Sequence, residues 1–229
     1  MKNIALLGLG LVGSCLAFTL ATASPAAAAA PAGSDGPVMF EVTVTNLTRN
    51  QILSPMLVVS HAENVALFTA GQPASSDLMA LAEEGNNMPL SMTLGANSRV
   101  LDVQAGAGGI LPGASDMVTI SASGHSRFIS MASMLVNTND AFVALDSFEI
   151  AADSDVTTHA VAYDAGTEFN SESCSFIPGP ACGAGGMHDP QPAEGFVYVS
   201  NGVQGIGDLD AAVYDWRNPV AKVTIRRIP

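Results

Sequence analysis

Ser130-Met131-Ala132-Ser133-Met134-Leu135-Val136 reads as a strand that stops at Asn137-Thr138-Asn139-Asp140, and it is answered by Phe142-Val143-Ala144-Leu145 and then Tyr163-Asp164-Ala165-Gly166-Thr167-Glu168. Asn and Asp in the first segment favour a tight turn, because their side chains bond nearby backbone N–H groups. In the second, Gly166 allows the chain to fold back tightly enough for Asp164 and Glu168 to face one point. Asp140, Asp164 and Glu168 are hard oxygen donors on loops, and that chemistry suits calcium above other ions. Asp146 is the nearest additional acid and is a further candidate ligand.

Strand signals continue on both sides. Phe40, Val42 and Val44 alternate with Glu41, Thr43 and Thr45, the period of a half-buried strand. Similar runs fall at Leu57–Ser60, Ser98–Val103, Asp116–Ala122, Ser130–Val136, Phe142–Ile150, Gly195–Val199 and Ala221–Arg227, separated by clusters of Gly, Pro, Asn and Asp. The expectation is an all-β protein, an antiparallel β-sandwich of about eight strands. One short surface helix interrupts it: Ser75 or Ser76 caps, Asp77 sits in the first turn, Leu78, Leu81 and Ala82 form a stripe, and Gly85 ends it.

These segments carry a resemblance. Ser133-Met134-Leu135, the Asn-Thr-Asn-Asp turn, Phe142-Val143-Ala144-Leu145 and Tyr163 to Glu168 resemble the spondin domain, whose pattern runs S-M-[IL]-x-P-S-P-D-W-F-V-G and then D-A-G-T-D. Weaker similarity extends through Ser54-Pro55, Leu67-Phe68, Gly71 to Ser75, Glu194-Gly195-Phe196 and Asp215 to Pro219, and single-domain bacterial members look most similar. The resemblance implies calcium ligation by Asp140, Asp164 and Glu168, and a non-catalytic adhesion or binding role toward an extracellular or cell-surface ligand. This sequence departs from the pattern twice. Glu168 stands where the family has Asp, adding a methylene, and the first turn lacks two prolines.

The N-terminus reads as an export signal: Lys2, an apolar run from Ile4 to Leu20, and Ala21-Thr22-Ala23 before Ser24. Residues 1–23 are therefore expected to be removed, 24–37 to form a disordered Ala/Pro-rich leader, and 38–229 to form the domain. Gly8-Leu9-Gly10-Leu11-Val12-Gly13 matches a dinucleotide fingerprint, but Pro25 to Pro31 follows where a helix, a second strand and an acid are needed. Lipidation at Cys15 is the lesser alternative to cleavage near Ala23. No later run reaches the roughly 20 apolar residues of a transmembrane helix, so the expected location is secreted or periplasmic.

The formal net charge is −13, and one unit more negative without Lys2, which makes nucleic acid a poor partner. Once the signal is removed Cys174 and Cys182 remain, an even count that predicts a disulfide in an oxidising compartment. The four histidines, His61, His125, His159 and His188, form no metal-ligating pair in sequence. A serine hydrolase is the enzymatic rival, and Gly124-His125-Ser126-Arg127-Phe128 lacks the second glycine of a nucleophile elbow. Asn46-Leu47-Thr48 matches a glycosylation sequon, and the adjoining strand argues that the match is chance. The contrasting role is a structural envelope protein with a closed calcium site and no ligand.

Overall fold

A computed structural model describes residues 36–151, 155–183 and 185–229. The expected signal peptide and nearly all of the leader lie outside the described residues. Nine strands and three helices follow in the order β1 (Val38–Asn46), β2 (Leu57–His61), α1 (Ser76–Glu84), α2 (Met88–Gly95), β3 (Val100–Ala105), β4 (Ser115–Ala122), β5 (Phe128–Met134), β6 (Ala141–Glu149), β7 (Val156–Asp164), β8 (Tyr198–Val199), α3 (Ala211–Tyr214) and β9 (Ala221–Arg227). The fold is the all-β antiparallel architecture expected.

The strand order is β3-β2-β5-β6-β7-β9-β1-β4, with β8 added to β7. β7 turns the corner: Val156–Ala160 pairs with β9, whereas Val161–Asp164 pairs with β6. The sheet folds back on itself there, and its two faces enclose one core of Phe40, Val42, Val44, Met131, Val143 and Ile225, among others. At the opposite side β3 and β4 meet through carboxylates. Asp102 accepts the N–H of Ser121 at 2.8 Å, and Asp116 accepts that of Ala107 at 2.9 Å.

A second core lies on the outer face of β2, β5 and β6. Leu57, Val59, Phe142 and Ala144 pack there under Leu78 and Leu81 of α1 and Leu90 and Leu94 of α2. This explains why β2 and most of β5 are buried on both faces and show no alternation. The α1 signals read from sequence are all present: Ser75 accepts the N–H of Leu78 at 3.1 Å, and Gly85 closes the helix with φ +66°. The helix is nevertheless more than a surface element, because its stripe seals this second core. Two helices, α2 and α3, and the strand β7 add to the elements read from sequence.

Candidate functional site

Pairing of β6 with β7 brings the two quoted turns together. Ala141 lies opposite Asp164 in the register, and the carbonyl of Asp140 accepts the N–H of Ala165 at 3.2 Å. Thr138 shapes the first turn by donating to Leu135 O at 2.6 Å and accepting from Ala141 N at 3.0 Å. In the second, Asp164 Oδ1 accepts the N–H of Gly166 at 2.9 Å, and Gly166 has φ +64°. Asp140 Oδ2 then accepts the N–H groups of Thr167 at 2.8 Å and Glu168 at 3.0 Å.

All three acids are buried: Asp140 is 0%, Asp164 2% and Glu168 1% exposed. Burial pushes the Asp140 carboxyl up to about 8, and the neighbouring Asp164 charge adds to the shift. Burial likewise raises Asp164 to about 6 against the lowering effect of bonds from Asn170 and Gly166. Glu168 is raised to about 7, again by burial first, with the Asp189 N–H opposing it and the Glu83 charge adding to it. Asp140 Oδ1 is buried with no hydrogen-bond partner among the described residues. None of the salt bridges formed by described residues involves Asp140, Asp164 or Glu168.

Glu168 is the member that departs from the expected convergence. Its backbone N–H serves Asp140, while its carboxylate Oε1 accepts the N–H of Asp189 at 2.6 Å. The extra methylene of Glu over Asp lengthens the reach of this carboxylate toward Asp189. Among the described residues no group of three or more His, Cys, Asp or Glu side chains is placed to hold a metal ion.

Asp146 stands apart from these acids. It is exposed on β6, where Ser130 and Ser147 donate to it at 3.4 Å each. It stands five positions along the strand from Ala141, so it belongs to the far half of β6. The apolar groups around the site divide between core and surface. Phe142 is in the second core, edge-on to Phe68 at 5.2 Å, whereas the exposed apolar groups beside the site are Phe196 and Val199, 43% and 54% exposed.

Several site residues had no usable sequence signal. Asn170 donates to Asp164 Oδ2 at 2.8 Å and lies 3.1 Å from the Tyr198 hydroxyl. Glu172, at φ +53°, receives the N–H groups of Gln204 and Ile206 and donates its own N–H to Asn139 Oδ1 at 3.2 Å. A cavity of about 20 Å³ bordered by Asn139, Asn170, Glu172 and Trp216 has room for a single water molecule. The disulfide between Cys174 and Cys182 is formed and closes the loop that follows.

The Spondin_N family model matches residues 45–177. The chain belongs to this family. The matched stretch contains both turns of the candidate site, so the spondin assignment and the geometry concern the same residues. No curated protein matches the chain. Spondin domains are extracellular binding modules, and no helix among the described residues is long and apolar enough to cross a membrane.

Proposed function

We propose that this spondin domain is exported and works outside the cytoplasm as a non-catalytic binding module, with calcium held by Asp140, Asp164 and Glu168. The observation that carries the reading is a buried acidic cluster that no Lys or Arg among the described residues bridges, in which Asp140 Oδ1 lacks a hydrogen-bond partner among them. An isolated buried carboxylate is costly, and a divalent cation is the ordinary compensation. The donor chemistry supports the reading, since three carboxylates offer hard oxygens from short loops, although Glu168 turns to the Asp189 N–H and the three do not converge as they stand. Calcium would supply the positive charge that holds all three ionised at neutral pH.

The chain's own residues do the positioning. Asp140 fixes the 164–168 turn through two backbone N–H groups, and Asn170 orients Asp164. Burial to 2% exposure or less favours an ion that orders loops beneath the surface over one that bridges to a ligand. Phe196 and Val199 then provide the exposed apolar contact for an extracellular or cell-surface partner. The same burial favours a second reading, a structural envelope component with a closed ion and no ligand.

The enzymatic rival has a Ser–His pair, but an inaccessible one. His61 Nε2 and Ser130 Oγ are 2.8 Å apart, both residues are 0% exposed, and Ser130 Oγ already accepts the N–H of Ser147 at 2.8 Å. That closure supports the non-catalytic reading. The sequon asparagine is closed as well, since Asn46 is 0% exposed and donates to Gln51 O and Ile110 O.

The test is calorimetric calcium titration of the wild-type protein beside an Asp164→Ala/Glu168→Ala variant. Saturable binding that the variant loses is the expected result, and absence of binding at millimolar calcium sinks the proposal. Binding of the calcium-loaded protein to a panel of cell-surface glycans and matrix proteins, lost in Phe196→Ser, separates the module from the purely structural reading.

A further inference from the structure

Asn139 stands beside Asp140 in the first turn, and the calcium reading does not use its side chain. Its amide oxygen Oδ1 accepts the N–H of Glu172 at 3.2 Å, which fixes the way the amide faces. The amide nitrogen Nδ2 then has no hydrogen-bond partner among the described residues, although the residue is only 2% exposed. A buried donor loses the hydration it has in water, so it demands an acceptor.

Asn139 borders the cavity of about 20 Å³, together with Thr138, Asn170, Glu172, Ser200 and Trp216. Size and chemistry select the occupant. The volume admits one water-sized species and no larger group. An amide N–H in need of an acceptor disfavours a cation, and the Glu172 carboxylate on the same wall disfavours an anion such as chloride. Water meets both demands, because it accepts from one group while donating to others.

We propose that this cavity binds one structural water, which accepts a hydrogen bond from Asn139 Nδ2 and donates to the oxygens around it, those of Glu172 foremost. The Glu172 carboxylate already receives the N–H groups of Gln204 and Ile206, and its oxygens have lone pairs to spare. Asn139, Glu172 and the water thus form one junction. It joins the turn that carries Asp140 to the segment after β8, where Ser200 and Trp216 complete the wall. The direct bond between Glu172 N–H and Asn139 Oδ1 closes one side of the junction, and the water closes the other. The water answers to these groups and not to an ion, so the metal-free protein holds it too.

The test is a high-resolution crystal structure of the metal-free full chain, read beside magnetic relaxation dispersion of the water oxygen in solution, which counts waters that stay longer than the protein takes to tumble. The expected density lies about 3 Å from Asn139 Nδ2. The expected count of long-lived waters falls by one in Asn139→Leu, which keeps similar bulk and has no donor. A thermal melt verifies that the variant folds, and the wild-type density decides the question if it does not. A dry cavity, an ion in place of the water, or a count that folded Asn139→Leu leaves unchanged overturns the proposal. Failure of the calcium titration leaves this density in place, so the two readings fail separately.

Discussion

The carboxylate of Asp140 accepts the backbone N–H of Glu168 at 3.0 Å, across 28 positions of sequence. One side chain at the head of β6 thereby dictates where the turn after β7 folds. Charge and hydrogen bonding at Asp140 consequently have opposite effects in the metal-free protein: the bonds stabilise it, while the buried charge beside Asp164 destabilises it.

Asp140→Asn separates the two. Its amide oxygen still accepts from Thr167 and Glu168, and the buried charge is gone. The metal-free variant is expected to melt at or above the wild-type temperature at pH 8.5, with its response to calcium abolished. Asp140→Ala loses the bonds too and is expected to cost about 2–4 kcal/mol. Thermal melts with and without calcium distinguish the cases, and an Asn variant that melts well below wild type refutes the separation.

The stability of the metal-free domain should fall as pH rises. Asp140, Asp164 and Glu168 are raised to about 8, 6 and 7 from ordinary values of 3.8, 3.8 and 4.5. Between those limits the folded state holds more protons than the unfolded chain, so raising pH favours unfolding. The loss is on the order of a few kcal/mol between about pH 4 and pH 8. Melting in chelator is expected to be highest near the acidic end of this window, and excess calcium should flatten the decline. A melting temperature that climbs from pH 5 to pH 8 in chelator contradicts the assignment.

Gly166 and Gly71 both have positive φ, +64° and +83°, but only Gly166 is crowded. A Cβ at 166 would lie 2.8 Å from the backbone nitrogen of Phe196, whereas one at 71 would meet nothing within 4 Å. Gly71→Ala should cost only the left-handed backbone penalty, about 1–2 kcal/mol. Gly166→Ala should cost clearly more and also weaken calcium binding, because the turn must move. Urea unfolding measures both, and equal costs would rule out the close approach as the reason for glycine.

The disulfide joins residues eight apart. Loop-closure entropy gives roughly 2.5 kcal/mol for a ring of this size. Cys174→Ser/Cys182→Ser should lower unfolding stability by about that amount in a non-reducing urea titration, and wild type with reductant should match it. A loss near zero would mean that the loop is held by its other contacts, including Ala181 N to Asn137 Oδ1 at 3.1 Å.

Much of the scaffold was legible because its signals are local. Alternation at Phe40–Thr45, the Ser75 cap with Gly85, and the paired cysteines each act over a few residues. β7 escaped because Thr157, Thr158 and His159 occupy its more exposed half, while Ala160 and Ala162 provide only small buried side chains. α2 has no side-chain cap bond and only Leu90 and Leu94 buried. At the site, the turn pattern around Asp140 and Asp164 announced itself, but Asn170, which donates to Asp164 Oδ2 at 2.8 Å, carried no such signal. The bond from the Asp189 N–H to Glu168 Oε1 likewise depends on how the loop before β8 returns to the site, which no short pattern encodes. Asp146 misled for the converse reason: nearness in sequence along a strand is distance in space.

Ser130 tests whether the far end of β6 is structural. Its hydroxyl is engaged by His61 Nε2 and the Ser147 N–H at 2.8 Å each, and Ser147 holds φ +49° beside it. Ser130→Ala leaves the buried His61 Nε2 and the half-buried Ser147 N–H without that partner, which should cost about 2–4 kcal/mol. Asp146→Asn touches the same network only through contacts of 3.4 Å on an exposed residue, so it should stay within about 0.5 kcal/mol of wild type. Neither should change the calcium titration, since neither residue lies with Asp140. A calcium affinity altered by Asp146→Asn would restore that residue to the site and would require β6 to present both ends to one ion.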